Sequence, residues 1–391
     1  MTKKILLFAA LSIFVFVVGG IGGVFFRDRV IPSLLASFPS LSRMDAFQNI
    51  VGNTTIIERK VQMVVREDDS VDAIVSQPST AVVDIIASDA KATGAIYQEG
   101  KSRTGVLLTN DGIVATYGDP YVATVGLGAT GANTVTYRVL LHDGSSHDAT
   151  LLGEDRLTNL TFFHIDGNDF PAISLANSDD SVPGTKLVAI GNSSEEYQNR
   201  FSVGVLSLRN KPFNISGKTV ASSEKWEGVL EGDFPGQGAY LGGPAVNFRG
   251  EMVGLFGDTQ LNGQESFFLL PSNVVRDTLR LVIDGKLSSR PTLGAYYLTL
   301  TKASAAGNGA VNRDRGALVY SPSGKTSLAV LAGSPAERAG LRYGDIVIAV
   351  NGSEINLDNP LSVAIGRLSK GDAAELLVLR NGSEITVPVQ L

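Results

Sequence analysis

Cleaving an acyl bond with a side chain requires a nucleophile with a lone pair, a base to take its proton, a group to orient that base, and N–H donors for the oxyanion. The 391-residue chain has three histidines and no cysteine. Thiol nucleophiles, thiolate metal sites and disulfides are therefore excluded. His142 and His147 flank a turn, and His164 ends the apolar run Leu160-Thr161-Phe162-Phe163. No histidine clusters in sequence with Asp179-Asp180 or Glu195-Glu196, so these read as solvated loop carboxylates, and neither a metal nor a cofactor is expected. The most demanding backbone lies at 233–247, where Tyr240-Leu241-Gly242-Gly243-Pro244 closes a glycine-rich loop ahead of a strand. Gly242 and Gly243 permit angles closed to other residues, and Pro244 stiffens the exit. Leu241 has no lone pair to attack a carbonyl. Tyr240 beside it offers a hydroxyl, although such a ring more often packs into available space.

These residues must be held by β-structure. Glycine is abundant (43 residues), and short Val/Ile/Leu runs are separated by Gly, Asn, Asp and Ser. Such punctuation reads as mainly β. Residues 71–75 begin a helix, and a strand follows over 79–87. Asp111-Gly112 and Asp143-Gly144 mark hairpin turns. Two successive sets of strands, before and after about residue 184, suggest paired barrels. Residues 272–286 read as a closing helix ended near Gly285. The net charge of −6 lacks a long basic run, which argues against nucleic acid as the partner.

Residues 5–26 are apolar and glycine-rich, broken by Ser12, and follow Lys3 and Lys4. The run is long enough to cross a bilayer, and the preceding charge places the N-terminus in the cytoplasm and the body outside. We expect a single-pass anchor in the cell membrane over 1–27, with a cleaved secretory signal as the competing reading, and a stalk over 28–62.

The ordered landmarks resemble the HtrA (Deg) family of serine proteases: the Asp111-Gly112 hairpin, His142-Asp143-Gly144, 153–159, 187–192, 202–207, 241–254 and Pro271-Ser272-Asn273. The resemblance implies a trypsin-like double six-stranded β-barrel over 63–285, a linker over 286–292 and a C-terminal PDZ domain over 293–391. In the family the histidine stands in a segment of the form Thr-Asn-Asn-His-Val. Here that segment reads Thr116-Tyr117-Gly118-Asp119-Pro120, which puts Asp119 at the histidine position. The orienting aspartate falls on Asn159, the nucleophile on Leu241, and the oxyanion-lining glycine on Ala239. The resemblance thus implies a family member whose triad side chains have all changed.

The stretch Ser334-Pro335-Ala336-Glu337-Arg338-Ala339-Gly340-Leu341 resembles the short helix and turn of bacterial PDZ domains, and Leu293-Gly294-Ala295-Tyr296 their carboxylate-binding loop. Such a domain adds an extended C-terminal peptide as a strand. The expected groove lies between 293–297 and a helix near 361–368, with Val363, Ala364 and Ile365 as walls; the alternative, in which the unusual loop over 302–314 obstructs it, leaves the domain as an internal packing unit only. The resulting expectation is a membrane-anchored, extracytoplasmic pseudoprotease. It would bind unfolded or C-terminal segments of envelope proteins as adaptor, chaperone or regulator in protein quality control, as a homotrimer or in mixed oligomers with an active relative. The alternative is an active serine-type endopeptidase with relocated catalytic residues.

Overall fold

Apolar alternation becomes strands wherever a glycine or Asx turn lets the chain reverse. The computed structural model describes residues 71–89, 102–121, 135–193, 198–218, 220–261, 263–306, 313–323 and 326–391. The expected anchor and stalk, and Glu195-Glu196, lie outside the described residues. Among the described residues no helix is long and apolar enough to cross a membrane.

Helix α1 (Val71–Val75) comes first, as expected. Residues 79–81 do not begin the next strand. Pro78–Ala81 form a 3-10 turn, with Thr80 Oγ1 donating to the Gln77 carbonyl at 2.7 Å. Proline at the start and hydroxyls bonding back to the chain favour a turn over β-propensity. Six strands follow: β1 (Val82–Asp89), β2 (Ser102–Leu107), β3 (Ile113–Tyr117), β4 (Val135–Leu140), β5 (Ser146–Asp155) and β6 (Leu160–Ile165). They close into a barrel in the order β1-β2-β3-β6-β5-β4. The β2–β3 turn works because Gly112 takes φ 96°, and its carbonyl accepts from Ile165 N–H at 3.0 Å.

The second barrel is built from β7 (Lys186–Ser193), β8 (Gln198–Asn214), β10 (Glu227–Asp233), β11 (Pro244–Val246), β12 (Met252–Leu261) and β13 (Gln264–Pro271), in the order β10-β13-β12-β11-β7-β8. A two-residue strand, β9 (Ala221–Ser222), leaves this barrel in the β8–β10 connection. One apolar core runs through both barrels, with Phe162, Phe163, Ile190, Leu255 and Phe268 all buried within it. Each such side chain contributes roughly 1.5–3 kcal/mol. Helix α2 (Ser272–Ile283) caps this core with Val274, Val275 and Leu279. It ends where the sequence indicated: Gly285 takes φ 67°, and Lys286 N–H reaches back to the Leu281 carbonyl at 2.7 Å. That is the Schellman arrangement, open to glycine at little cost.

A third sheet follows, made of β14 (Tyr296–Thr299), β15 (Ala317–Val319), β16 (Ile346–Val350), β17 (Ser353–Glu354), β18 (Ala373–Arg380) and β19 (Ser383–Gln390). Its helices are α3 (Lys302–Ala306), α4 (Pro335–Arg338) and α5 (Leu361–Gly366). Ser334 caps α4 by accepting from Glu337 N–H at 3.2 Å, and Pro335 occupies the first turn. This sheet runs β19-β18-β16-β15-β14-β9, so its last strand comes from the second barrel. Residues 67–391 accordingly form one unit.

Candidate functional site

The glycine-rich loop leaves β10 through a left-handed Gly236 (φ 65°) and tightens into a 3-10 turn over Gln237–Tyr240. Leu241 follows, half-buried, and Gly242 takes φ 81°. A β-carbon on Gly242 would lie 2.1 Å from the Thr104 carbonyl oxygen and 2.3 Å from Thr116 Oγ1. The loop therefore rests directly on β2 and β3, and only glycine fits there. Gly242 N–H donates to the Phe256 carbonyl, and Phe256 N–H donates to Gly243, both at 2.9 Å. Tyr240 is 4 % exposed and packs on Phe256 with centroids 5.7 Å apart. Its ring is core material.

The other two segments converge on this loop through β3. Thr116 lies under Gly242, β3 ends at Tyr117, and the chain continues through Gly118 to Asp119. Gly118 N–H donates to the Asn159 carbonyl at 2.7 Å. The segments carrying Asp119, Asn159 and Leu241 therefore meet at one edge between the barrels. Asp119 Oδ1 accepts from Tyr121 N–H at 2.8 Å and from Tyr137 Oη at 3.3 Å. Burial and the adjacent Asp119 push the Tyr137 hydroxyl up to about 12. Asn159 is left-handed (φ 62°), a conformation its short amide tolerates. Ala239 N–H is bonded to the Gly236 carbonyl at 3.0 Å within the turn, so it is not aimed at a substrate oxygen.

Each of the three histidines has a neighbour of its own outside the 239–243 loop. His142 Nδ1 meets Asn199 Nδ2 at 3.3 Å, and His147 packs edge-on to Phe170. His164 pairs with Ile113 on the adjacent strand β3, whereas the site begins beyond Tyr117, which pairs with Leu160. Four strand residues separate the two ends, about 13 Å at roughly 3.3 Å each. Asp166 is its ionic neighbour at 3.7 Å. Asp179 pairs with Arg209 at 3.2 Å, and the described residues contain no group of acidic or histidine side chains suited to a metal.

In the third sheet Leu293 and Ala295 are buried, Tyr296 is half-buried, and Gly294 takes φ 78°. Ile365 points into that sheet's core, while Val363 lines a cavity of about 260 Å³ with Trp226, Val274 and Arg290. The two are separated because residues two apart on α5 point about 200° from each other, to opposite faces of the helix. The groove edge itself carries a feature that sequence reasoning missed. β9 pairs antiparallel with β14, Tyr296 opposite Ser222 and Tyr297 opposite Ala221. Glu224 Oε1 then accepts from Leu293 N–H at 3.0 Å and Gly294 N–H at 2.7 Å. Ser, Glu and Lys around 222–225 carry no period that would reveal a strand.

Sequence profiles match in the same places: a trypsin-like peptidase domain over residues 92–255 and a PDZ domain over 305–391. Probable periplasmic serine endoproteases described as DegP-like are similar along much of the chain. That of Hahella chejuensis is 28% identical over 74% of this chain and 55% of its own length. That of Rhizobium meliloti is 29% identical over 74% and 52%, and that of Pseudomonas savastanoi pv. phaseolicola 30% identical over 69% and 53%. The chain thus spans about half the length of these relatives. Among solved structures, the HtrA-type protease AlgW with tripeptide superposes with a TM-score of 0.60 at 23% identity, covering 81% of this chain and 95% of that one. The same protease with decapeptide gives 0.58 at 21% identity, covering 81% and 96%.

Two closed six-stranded barrels followed by a third, PDZ-type sheet define a trypsin-like peptidase fold with a PDZ domain. The relatives and the fold agree on its family. The trypsin-like peptidase and PDZ matches, together with the DegP-like relatives, support an HtrA-family protein.

Proposed function

We propose that this chain is a pseudoprotease of the HtrA family that binds unfolded or C-terminally exposed segments of envelope proteins, acting as adaptor, chaperone or regulator. The carrying observation is the loop at 239–243. Its apex is Leu241, its Ala239 N–H is bonded back to Gly236, and the segment meeting it from β3 offers Asp119 where a base is required. A leucine nucleophile position without an imidazole leaves binding as the chemistry that survives. The periplasmic relatives support an extracytoplasmic body, and the apolar run over 5–26 supports a single-pass anchor. Assembly as a homotrimer or with an active relative follows the family pattern.

The test is incubation of the full chain with a labelled unfolded protein and a serine-reactive phosphonate, beside a Leu241→Ser variant. Neither cleavage nor labelling is expected from the unmodified protein. Cleavage that co-elutes with it through successive columns and disappears in Tyr240→Phe or His147→Ala would establish a relocated active site and overturn the proposal.

A further inference from the structure

A PDZ groove accepts a peptide as an added strand, antiparallel to the receiving strand, with the terminal carboxylate held by successive backbone N–H groups of the preceding loop. In this chain each of those positions is already filled from within. Ala221 and Ser222 pair antiparallel with β14, and the pairing continues as Ser223 N–H donates to the Ala295 carbonyl at 3.0 Å. Ala295 N–H in turn donates to Ser223 Oγ at 3.0 Å. The segment therefore runs toward Gly294, the direction a C-terminal peptide takes.

At its end stands a carboxylate. Glu224 Oε1 accepts from the N–H groups of Leu293 and Gly294, at 3.0 and 2.7 Å, and from Ser223 Oγ at 2.8 Å. Two successive N–H groups at a left-handed glycine form the concavity that takes a carboxylate. Ala221 joins the buried core of the third sheet. We propose that residues 221–224 are an internal ligand of this chain's own PDZ groove, with the Glu224 side chain standing in for a peptide's α-carboxylate. A strand edge pairs with one strand at a time, so an external C-terminal peptide binds only by displacing this segment.

The second barrel holds the segment like a strap. Asn214 is buried at its root and donates from Nδ2 to the Ser222 and Lys225 carbonyls at 3.2 and 2.9 Å. Ile215 N–H closes the loop onto the Trp226 carbonyl at 3.0 Å, and Trp226 N–H donates to Leu157 at 2.7 Å. Tethering keeps the segment at high effective concentration, and a competing peptide must overcome it. The groove edge is thus occupied by the barrel's strap, whereas 307–312 of the loop over 302–314 lie outside the described residues.

The displacement half of this inference rests on the peptide-binding reading, so the test separates the two. The full chain, Glu224→Ala and Glu224→Gln are compared by amide hydrogen exchange at residues 293–297. They are also compared by capture on an immobilised pool of random decapeptides with free C-termini, against the same pool amidated. Glu224→Ala is expected to exchange at Leu293 and Gly294 at least tenfold faster and to bind the free-carboxylate pool about tenfold tighter than the unmodified chain. Glu224→Gln keeps an acceptor oxygen and falls between them, which preserves the comparison should the alanine variant fold poorly. Exchange at Leu293 and Gly294 as slow in both variants as in the unmodified chain overturns the internal ligand. Faster exchange with equal peptide affinity overturns the competition. Faster exchange with no capture by any of the three leaves the strap in place and overturns the peptide-binding reading instead.

Discussion

Arg290, in the segment joining α2 to the third sheet, donates from Nη2 to Asp155 Oδ2 at 2.9 Å, and the aspartate side chain is fully buried. Asp155 also accepts from Leu157 N–H and Thr158 Oγ1, and its carbonyl takes Asn159 N–H at 2.7 Å. One carboxylate therefore holds both the Asn159 turn and the link to the PDZ domain. Removing a partner from a buried pair leaves an uncompensated charge, at a cost of about 3–5 kcal/mol. Arg290→Ala is expected to lose about that much in chemical denaturation, and Arg290→Ala with Asp155→Asn substantially less than the sum of the single losses. Additive losses would show that the pair is not coupled.

A second carboxylate gives a pH dependence. Glu227 is 2 % exposed, accepts from Tyr297 Oη and Thr299 Oγ1, both at 2.5 Å, and is pushed up to about 7 by burial, against which the two hydroxyls act. Lys211, Arg209, Asp277, Asp358 and Arg367 line the cavity beside it. Between about 4.5, its unfolded value, and about 7 the folded protein binds more protons than the unfolded one. Stability contributed by this group is therefore fully present below that window and falls as pH rises through it. The loss approaches on the order of 3 kcal/mol, from about 1.36 kcal/mol per pH unit. Asp84, also pushed up to about 6 by burial, adds a slope of the same sign, so the comparison must be with Glu227→Gln. The difference between the two proteins should shrink steadily from pH 4.5 to 7.5. A constant difference would contradict the assignment.

The barrels were legible in the sequence because local signals agree. Alternation sets the strands, Asp-Gly pairs set the turns, and Gly285 ends α2 where a left-handed residue is needed. The convergence of Asp119, Asn159 and Leu241 was not readable from periodicity; it came from resemblance, and the geometry at Gly242 and Gly118 brings their segments together. What escaped was non-local. Glu224 meets Gly294 across 70 residues and Asp155 meets Arg290 across 135, and neither leaves a period or a turn signal. A two-residue strand such as β9 exists only because its partner is there.

Gly242 offers a sharp packing test. At φ 81° with Thr104 and Thr116 oxygens 2.1 and 2.3 Å from a β-carbon, Gly242→Ala combines left-handed strain with a collision against backbone. A loss of at least about 2 kcal/mol is expected, since strain alone is about 1–3 kcal/mol. Gly144→Ala, also left-handed (φ 83°) but with open space around it, isolates the strain. Equal losses in denaturation would mean the loop shifts away from β2 freely, and the contact between loop and first barrel is then loose.

Rebuilding the chemistry tests the site reading most directly. Leu241→Ser supplies a hydroxyl without a base, so it should remain unlabelled by a phosphonate probe. Asp119→His and Asn159→Asp added to it supply base and orienter at the converging segments, and slow labelling is expected. It should stay slow because Ala239 N–H remains bonded to Gly236, and a missing oxyanion donor costs about 10²–10³ in rate. A fourth substitution, Ala239→Gly, lets that peptide turn, and an acceleration of tenfold or more over the triple variant is the expected result, read as the rate of covalent labelling. Labelling by Leu241→Ser alone would reveal a base that the histidine positions do not supply. No gain from the fourth change would mean that the Ala239 peptide is not what keeps the oxyanion pocket closed.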